Sequence, residues 1–276
     1  MLSTLKHARW YDAFKQTRKA IKRRIALPRY LGDIYCCPVC NTRLAAFKPI
    51  WKSYHRMIAE SGYIYPLTQV ETFNFEAYSC PACDASDRER LYALYLKPAI
   101  AAQPSGRRLR FVEFAPAPSL ERMLRSEPRL DYRSADLFRG SVDDKIDITD
   151  MRPYGDASVD IFLCSHILEH IPDDRAAISE LFRVAAPGGF GIVMVPLIVG
   201  LDETLEDPRK TTRELRCKHY GDGDHVRQYG KRDFVQRLQQ AGFRVEQLGV
   251  EHFGAEAFRL AGIAENSVLF VAHKPQ

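Results

Sequence analysis

The 276-residue chain has no apolar run long enough to cross a bilayer. Its longest, Phe190–Leu201 (FGIVMVPLIVGL), is interrupted by Pro196 and falls well short of the roughly 20 residues that a spanning helix needs, which marks it as a buried strand and its exit. The N-terminus lacks an apolar core followed by a small-residue cleavage site, so no secretory signal is read there and a cytoplasmic location is expected. Acids are also scarce at that end: residues 1–30 hold nine Lys/Arg against Asp12 alone, whereas the whole chain carries only +5. Basicity is therefore local. Trp10, Phe14, Thr17, Ile21 and Ile25 recur at helical spacing and Pro28 ends the pattern, predicting a basic amphipathic helix over 1–30. Such a helix suits peripheral contact with an anionic membrane at its inner face, contact with nucleic acid, or packing with its basic face solvated. A hydrophobic content of 46% argues against disorder and provides for a full core.

Cysteine is sparse after residue 83, where only Cys164 and Cys217 remain, and dense before it. Cys37-Pro-Val-Cys40 and Cys80-Pro-Ala-Cys83 each aim two thiolates at one point, the pattern of a zinc knuckle rather than of disulfides in a cytoplasmic chain. The four thiolates predict one closed, structural zinc ion, with Cys36 a spare or alternative ligand. The stretch between the knuckles is rich in Tyr63, Tyr65, Phe73, Phe75 and Tyr78 and is expected to form strands of its own. Beyond it, SDRERLYALYLKPAI reads as a helix capped by Ser86 and ended near Pro98, so a zinc-ribbon-like module with its connecting helix is assigned to 31–102.

From residue 107 to 276 short apolar runs alternate with helical segments, which means βα units and a mostly parallel sheet covered on both faces. Ligands of such sheets sit at the carboxyl ends of the strands. Three acids fall there: Glu113 in the first strand, Asp136 closing the second and Asp147 closing the third. Glycine is missing where a nucleotide-binding turn would ordinarily have it, since FVEFAPAPSL puts two prolines after Glu113 instead. A pyrophosphate needs glycine there for close backbone approach, so NAD and FAD are disfavoured.

Asp147, MRPY, DASVD, LEH and ELFRVAAPGG follow one another as in the central stretch of class I S-adenosylmethionine-dependent methyltransferases, which this chain resembles over about residues 109–273. The cysteine-rich front followed by DRERL is similar to a bacterial subgroup of the type 11-like enzymes with a zinc ribbon ahead of this domain. The resemblance implies a Rossmann-like seven-stranded α/β sheet with helices on both faces and S-adenosylmethionine as the methyl donor. It places Glu113, Ala115 and Pro116 in the first cofactor motif, Asp136 and Leu137 at the ribose, Asp147 and Ile148 at the adenine, and Cys164 with Ser165 near the reacting methyl. Ala115 can replace glycine if the turn keeps negative φ. His166 is the first candidate for a general base of near-neutral pKa, with His225 a second, while Arg227 and Tyr229 are expected to touch substrate from a lid after the fifth strand. His170 is read as structural. A cation site from His166, Glu169 and His225 is a weaker alternative, since related O-methyltransferases include cation-dependent ones. The acceptor implied is a small molecule or saccharide; an RNA methyltransferase using the zinc module and basic arm, and a non-catalytic scaffold, are the rivals.

Overall fold

The two cysteine pairs fold into turns with the same backbone bonding. Cys37 N–H donates to Thr42 O and Asn41 N–H to Cys37 O, and Cys80 N–H donates to Ala85 O and Asp84 N–H to Cys80 O. In each turn the residue after the second cysteine, Asn41 or Asp84, takes a positive φ, which a short polar side chain tolerates best. The computed structural model describes residue 18, residues 21–103 and residues 106–276. Trp10, Phe14 and Thr17 of the expected basic helix lie outside the described residues. Residues 21–26 are helical, Ile21 and Ile25 are exposed, and a short 3₁₀ turn at Leu27–Tyr30 holds Pro28.

Strand β1 (Leu31–Cys36) pairs antiparallel with β2 (Arg43–Leu44) around the first knuckle. The segment between the knuckles does not form the expected strands: it makes a helix, Lys52–Ser61, a 3₁₀ turn at Leu67–Gln69 and isolated bridges. Its aromatic residues pack on one another instead, Trp51 and Phe73 edge-on to Tyr78 and Tyr54 against Phe73. The backbone finds its partners elsewhere in the molecule, with Ile64 N–H on Lys218 O and Glu71 N–H on Leu197 O. Aromatic content signalled ring-on-ring packing at mostly half-buried positions there, not pairing.

The connecting helix spans Asp87–Ala102, begun by a reciprocal capping box of Ser86 and Glu89. Pro98 lies inside it and does not end it. Packing outweighs the single lost backbone bond, because Leu91, Tyr92, Leu96 and Ile100 are buried in the core of the sheet domain. The helix is thus part of that core as well as the root of the cysteine module.

The sheet runs β3 (Leu109–Phe114), β4 (Leu130–Asp136), β5 (Asp144–Lys145), β6 (Val159–Ser165), β7 (Ala185–Met194), β8 (Arg244–Leu248) and β9 (Leu269–His273) in chain order. In space the order is β5-β4-β3-β6-β7-β9-β8, with β9 antiparallel to both its neighbours and the other pairs parallel. This is the seven-stranded Rossmann-like architecture expected from the sequence. The central strands β3 and β6 are buried along nearly their whole length, as strands covered on both faces must be. The order in which the chain adds strands reverses between the parallel neighbours β3 and β6, which opens a crevice at their carboxyl ends. Among the described residues no helix is long and apolar enough to cross a membrane.

Candidate active site

A cavity of about 440 Å³ opens at those carboxyl ends, lined by residues from the ends of β3 and β4, the loop after β5 and the turn after β6. Ala115, Asp136, Leu137, Asp147, Ile148 and His166 line it. Asp136 and Asp147 are built alike. Asp136 Oδ1 accepts from Phe138 N–H at 2.7 Å and Arg139 N–H at 2.8 Å, and Asp147 Oδ1 accepts from Thr149 N–H at 2.9 Å and Thr149 Oγ1 at 2.7 Å. These are Asx turns that hold each carboxylate with one oxygen and leave the other oxygen without a hydrogen-bond partner among the described residues. Ile146, Ile148 and Ile171 give the cavity its flat apolar wall.

Glu113 is not in the cavity. It is 1% exposed, with Oε1 accepting from Ala117 N–H at 3.0 Å and Oε2 from the Tyr132 hydroxyl at 2.6 Å. Burial pushes its carboxyl up to about 7 against the opposing pull of those two hydrogen bonds. It ties the turn of residues 115–117 to β4 rather than offering a free negative charge. Pro116 is also buried, its carbonyl taken by Arg139 at 2.6 Å. Ala115 does not keep the negative φ expected of a proline-stiffened turn: it sits at φ 49, and His166 sits at φ 55. Both are residues that line the cavity, and such backbone is tolerated where a surrounding fold over-determines it.

Three other expected site residues are placed differently. Cys164 is fully buried in the core, its thiol pushed far up by burial, while Ser165 Oγ is engaged with the Tyr92 hydroxyl at 2.8 Å. A strand residue directed into the sheet's packed face cannot also face the cavity. Arg227 and Tyr229, expected at the substrate, are buried and do not line the cavity either. The Arg227 guanidinium, 1% exposed, donates to Leu168 O, Ile171 O and Pro172 O and pairs with Glu206 at 2.6 Å. Tyr229 is completely buried and its hydroxyl donates to Asp174, which Arg237 also holds at 2.6 Å. These side chains clamp the 222–229 segment onto the turn after β6, helped by Val226 N–H donating to Glu169 O at 2.8 Å.

The clamp gathers a polar group beside the cavity. His166 contacts Arg88 through Nε2 and approaches Glu169 Oε1 through Nδ1 at 3.3 Å; His170 and His225 stand edge-on with ring centres 4.7 Å apart. Burial and then the Arg88 charge lower the His166 imidazole to about 4, so it is not the near-neutral base expected of it. Burial alone would raise Glu169, but His166 and His225 outweigh it and hold the carboxyl below its ordinary range. Arg88 was not singled out in the sequence, where it is one of several charges in the DRERL stretch. In the structure it comes from the first turn of the connecting helix and, among the described residues, has no carboxylate in ion-pair contact.

The cysteine tetrad lies apart from this cavity. Cys37 and Cys83 Sγ atoms are 3.7 Å apart, and Cys40 and Cys80 Sγ atoms 3.8 Å. Disulfides are excluded at those separations, whereas a tetrahedron with zinc–sulfur bonds of about 2.3 Å has an edge of about 3.8 Å. Neighbouring thiols push Cys37 and Cys83 up and hold Cys40 and Cys80 down, so four charges cannot gather without a cation. Cys36, on β1, is not in the tetrad.

Residues 127–193 match the methyltransferase domain family. A Mycolicibacterium smegmatis protein named a probable S-adenosylmethionine-dependent methyltransferase is 32% identical over 126 residues, which is 45% of this chain and 40% of that protein. An uncharacterized methyltransferase of Mycobacterium sp. (strain KMS) is 38% identical over 48 residues, 17% of this chain and 19% of that protein. The matches thus span less than half the length of these curated relatives. A solved S-adenosylmethionine-dependent methyltransferase from Archaeoglobus fulgidus aligns over 67% of this chain and 94% of its own at 15% identity, with a TM-score of 0.43. Taken with the order of the seven strands, the family match and the curated relatives support a class I methyltransferase.

Proposed function

We propose that this chain transfers a methyl group from S-adenosylmethionine to a small-molecule or glycan-pathway acceptor, with a structural zinc ion held by Cys37, Cys40, Cys80 and Cys83. The observation that carries the reading is the pair of half-used carboxylates, Asp136 and Asp147, on one cavity with an apolar wall between them. Asp136 is suited to accept from ribose hydroxyls and Asp147 from an adenine amino group, with Ile148 against the ring. When bound, S-adenosylmethionine would supply an electrophilic sulfonium methyl for the acceptor's nucleophilic atom, with Asp136 and Asp147 holding its ribose and adenine ends. The protein's part is chiefly alignment, which alone is worth up to roughly 7–11 kcal/mol. Glu113 holds the 115–117 turn in place from below, and Arg227 fixes the turn after β6 from above. Absence of glycine at residues 115, 117 and 119 is compatible with a ligand that brings no phosphate to that turn.

Arg88 adds a clue to the acceptor. Its guanidinium, delivered by the cysteine module's helix, favours a substrate that brings negative charge or several oxygens. The test is S-adenosylhomocysteine formation with a panel of sugar-pathway hydroxyl, amine and carboxylate acceptors alongside RNA. A product heavier by one CH₂ in a small acceptor is expected; methyl appearing in RNA alone would overturn the acceptor class.

A further inference from the structure

Glu169 is 1% exposed, and neither of its carboxylate oxygens has a hydrogen-bond partner among the described residues. The nearest basic group, His166 Nδ1 at 3.3 Å, does not complete a hydrogen bond, and a buried carboxylate so placed costs several kcal/mol that a further partner would recover. What surrounds it identifies the partner. His225 Nδ1 donates to Tyr220 O at 2.8 Å, which fixes the tautomer and leaves Nε2 with a bare lone pair, 4.0 Å from Glu169 Oε1. The hydrogen bond from an imidazole's outer nitrogen to a backbone carbonyl is the arrangement that orients a histidine ligand. His170 packs against His225 and lines the cavity, and one ligand atom from each of Glu169, His170 and His225 lies within 4.8 Å of the others. His166 is the exception among the imidazoles. Its Nε2 is occupied by Arg88, so it turns Nδ1 towards the carboxylate and positions Glu169 instead of ligating; the ring also stands between the guanidinium and Glu169.

We propose that Glu169, His170 and His225 form a divalent-cation site beside the cofactor cavity, separate from the cysteine tetrad. Two neutral imidazoles and one carboxylate are a donor set for first-row transition ions, zinc, manganese and iron(II) included. Bonds of about 2.1 Å put tetrahedral ligand atoms about 3.4 Å apart, so the 4.0 Å between His225 Nε2 and Glu169 Oε1 closes by about half an ångström on binding. Three protein ligands leave open positions. That an acceptor oxygen takes one of them, polarised next to the methyl group, rests on the methyl-transfer reading; the site itself does not. The expected set also differs from the sequence-based alternative, in which His166 stood where His170 does.

The experiment titrates the full chain, with its cysteine site already metal-loaded, using cobalt(II). A second equivalent is expected, with visible bands of nitrogen and oxygen ligation and no further thiolate charge-transfer intensity. Its affinity falls at least tenfold in Glu169→Gln and in His170→Ala, the latter an exposed residue whose loss spares the core. Asp136→Ala should leave the cobalt titration unchanged while abolishing S-adenosylmethionine binding, so failure of the ion site and failure of the cofactor reading are told apart. A chain that takes up only the tetrad's ion, or a second ion bound equally well by both variants, overturns the proposal.

Discussion

Glu113 is the residue whose chemistry departs most from its surroundings. A carboxyl with a folded value of about 7 against 4.5 when unfolded holds its proton more tightly in the folded chain. Its contribution to stability is therefore full below pH 4.5 and is lost as the pH rises through 7, a difference of about 3 kcal/mol. Glu113→Gln removes that slope at the cost of one of two hydrogen bonds, about 1 kcal/mol. Denaturant unfolding at pH 5 and pH 8 should show the variant gaining about 2.5 kcal/mol relative to the natural chain between the two; a difference independent of pH would mean that Glu113 stays ionised. The acid's presence in the strand was legible in FVEFAPAPSL. Its role was not, because sequence cannot show that Ala117 N–H and Tyr132 come back to consume both oxygens. The same limit applies to Ala115, whose positive φ follows from where β3 must hand the chain to the next helix and not from any preference of alanine.

Among the elements, the helix Asp87–Ala102 decides how the two parts of the chain meet. Arg90, completely buried, donates to the carbonyls of Tyr78, Ala85, Ala77, Ala261 and Gly262 and lies over the Phe47 ring at 3.9 Å. One side chain thus joins the cysteine module to the helix Ala255–Ala261 and the turn that follows it. Arg90→Ala leaves those carbonyls buried without donors and should cost about 3 kcal/mol or more. Thermal unfolding of the zinc-loaded variant checks this, and a change within 0.5 kcal/mol, the usual size of a surface effect, would contradict it. The helix start was readable from Ser86 and Glu89, as were the strands from their unbroken apolar runs. Its end was not, because Pro98 weighs less than the burial of Leu96 and Ile100 around it. The aromatic segment between the knuckles misled for a related reason: ring-on-ring packing and strand pairing draw on the same residues in a sequence. Likewise Arg227 and Tyr229 lay in a segment expected to form a lid, yet they face inward as its anchors.

At the scale of the molecule, a small core around Cys37, Leu44, Phe47, Cys80 and Ala93 sits against the large core of the sheet, and the connecting helix contributes to both. So small a cluster needs a cross-link, which the tetrad supplies when it holds zinc. Elemental analysis should find the tetrad's zinc lost in a Cys37→Ser, Cys80→Ser double variant, with a lowered Tm and weakened acceptor turnover, because Arg88 stands five residues after Cys83. Zinc retained in the double variant would remove the tetrad from the account. Cofactor recognition, by contrast, is assigned wholly to the carboxyl ends of β3 to β6. Calorimetry of the full, zinc-loaded chain with S-adenosylmethionine tests that assignment most directly. One binding event per chain is predicted, abolished by Asp136→Ala without loss of Tm; no heat at millimolar ligand, or equal binding by the variant, would contradict it.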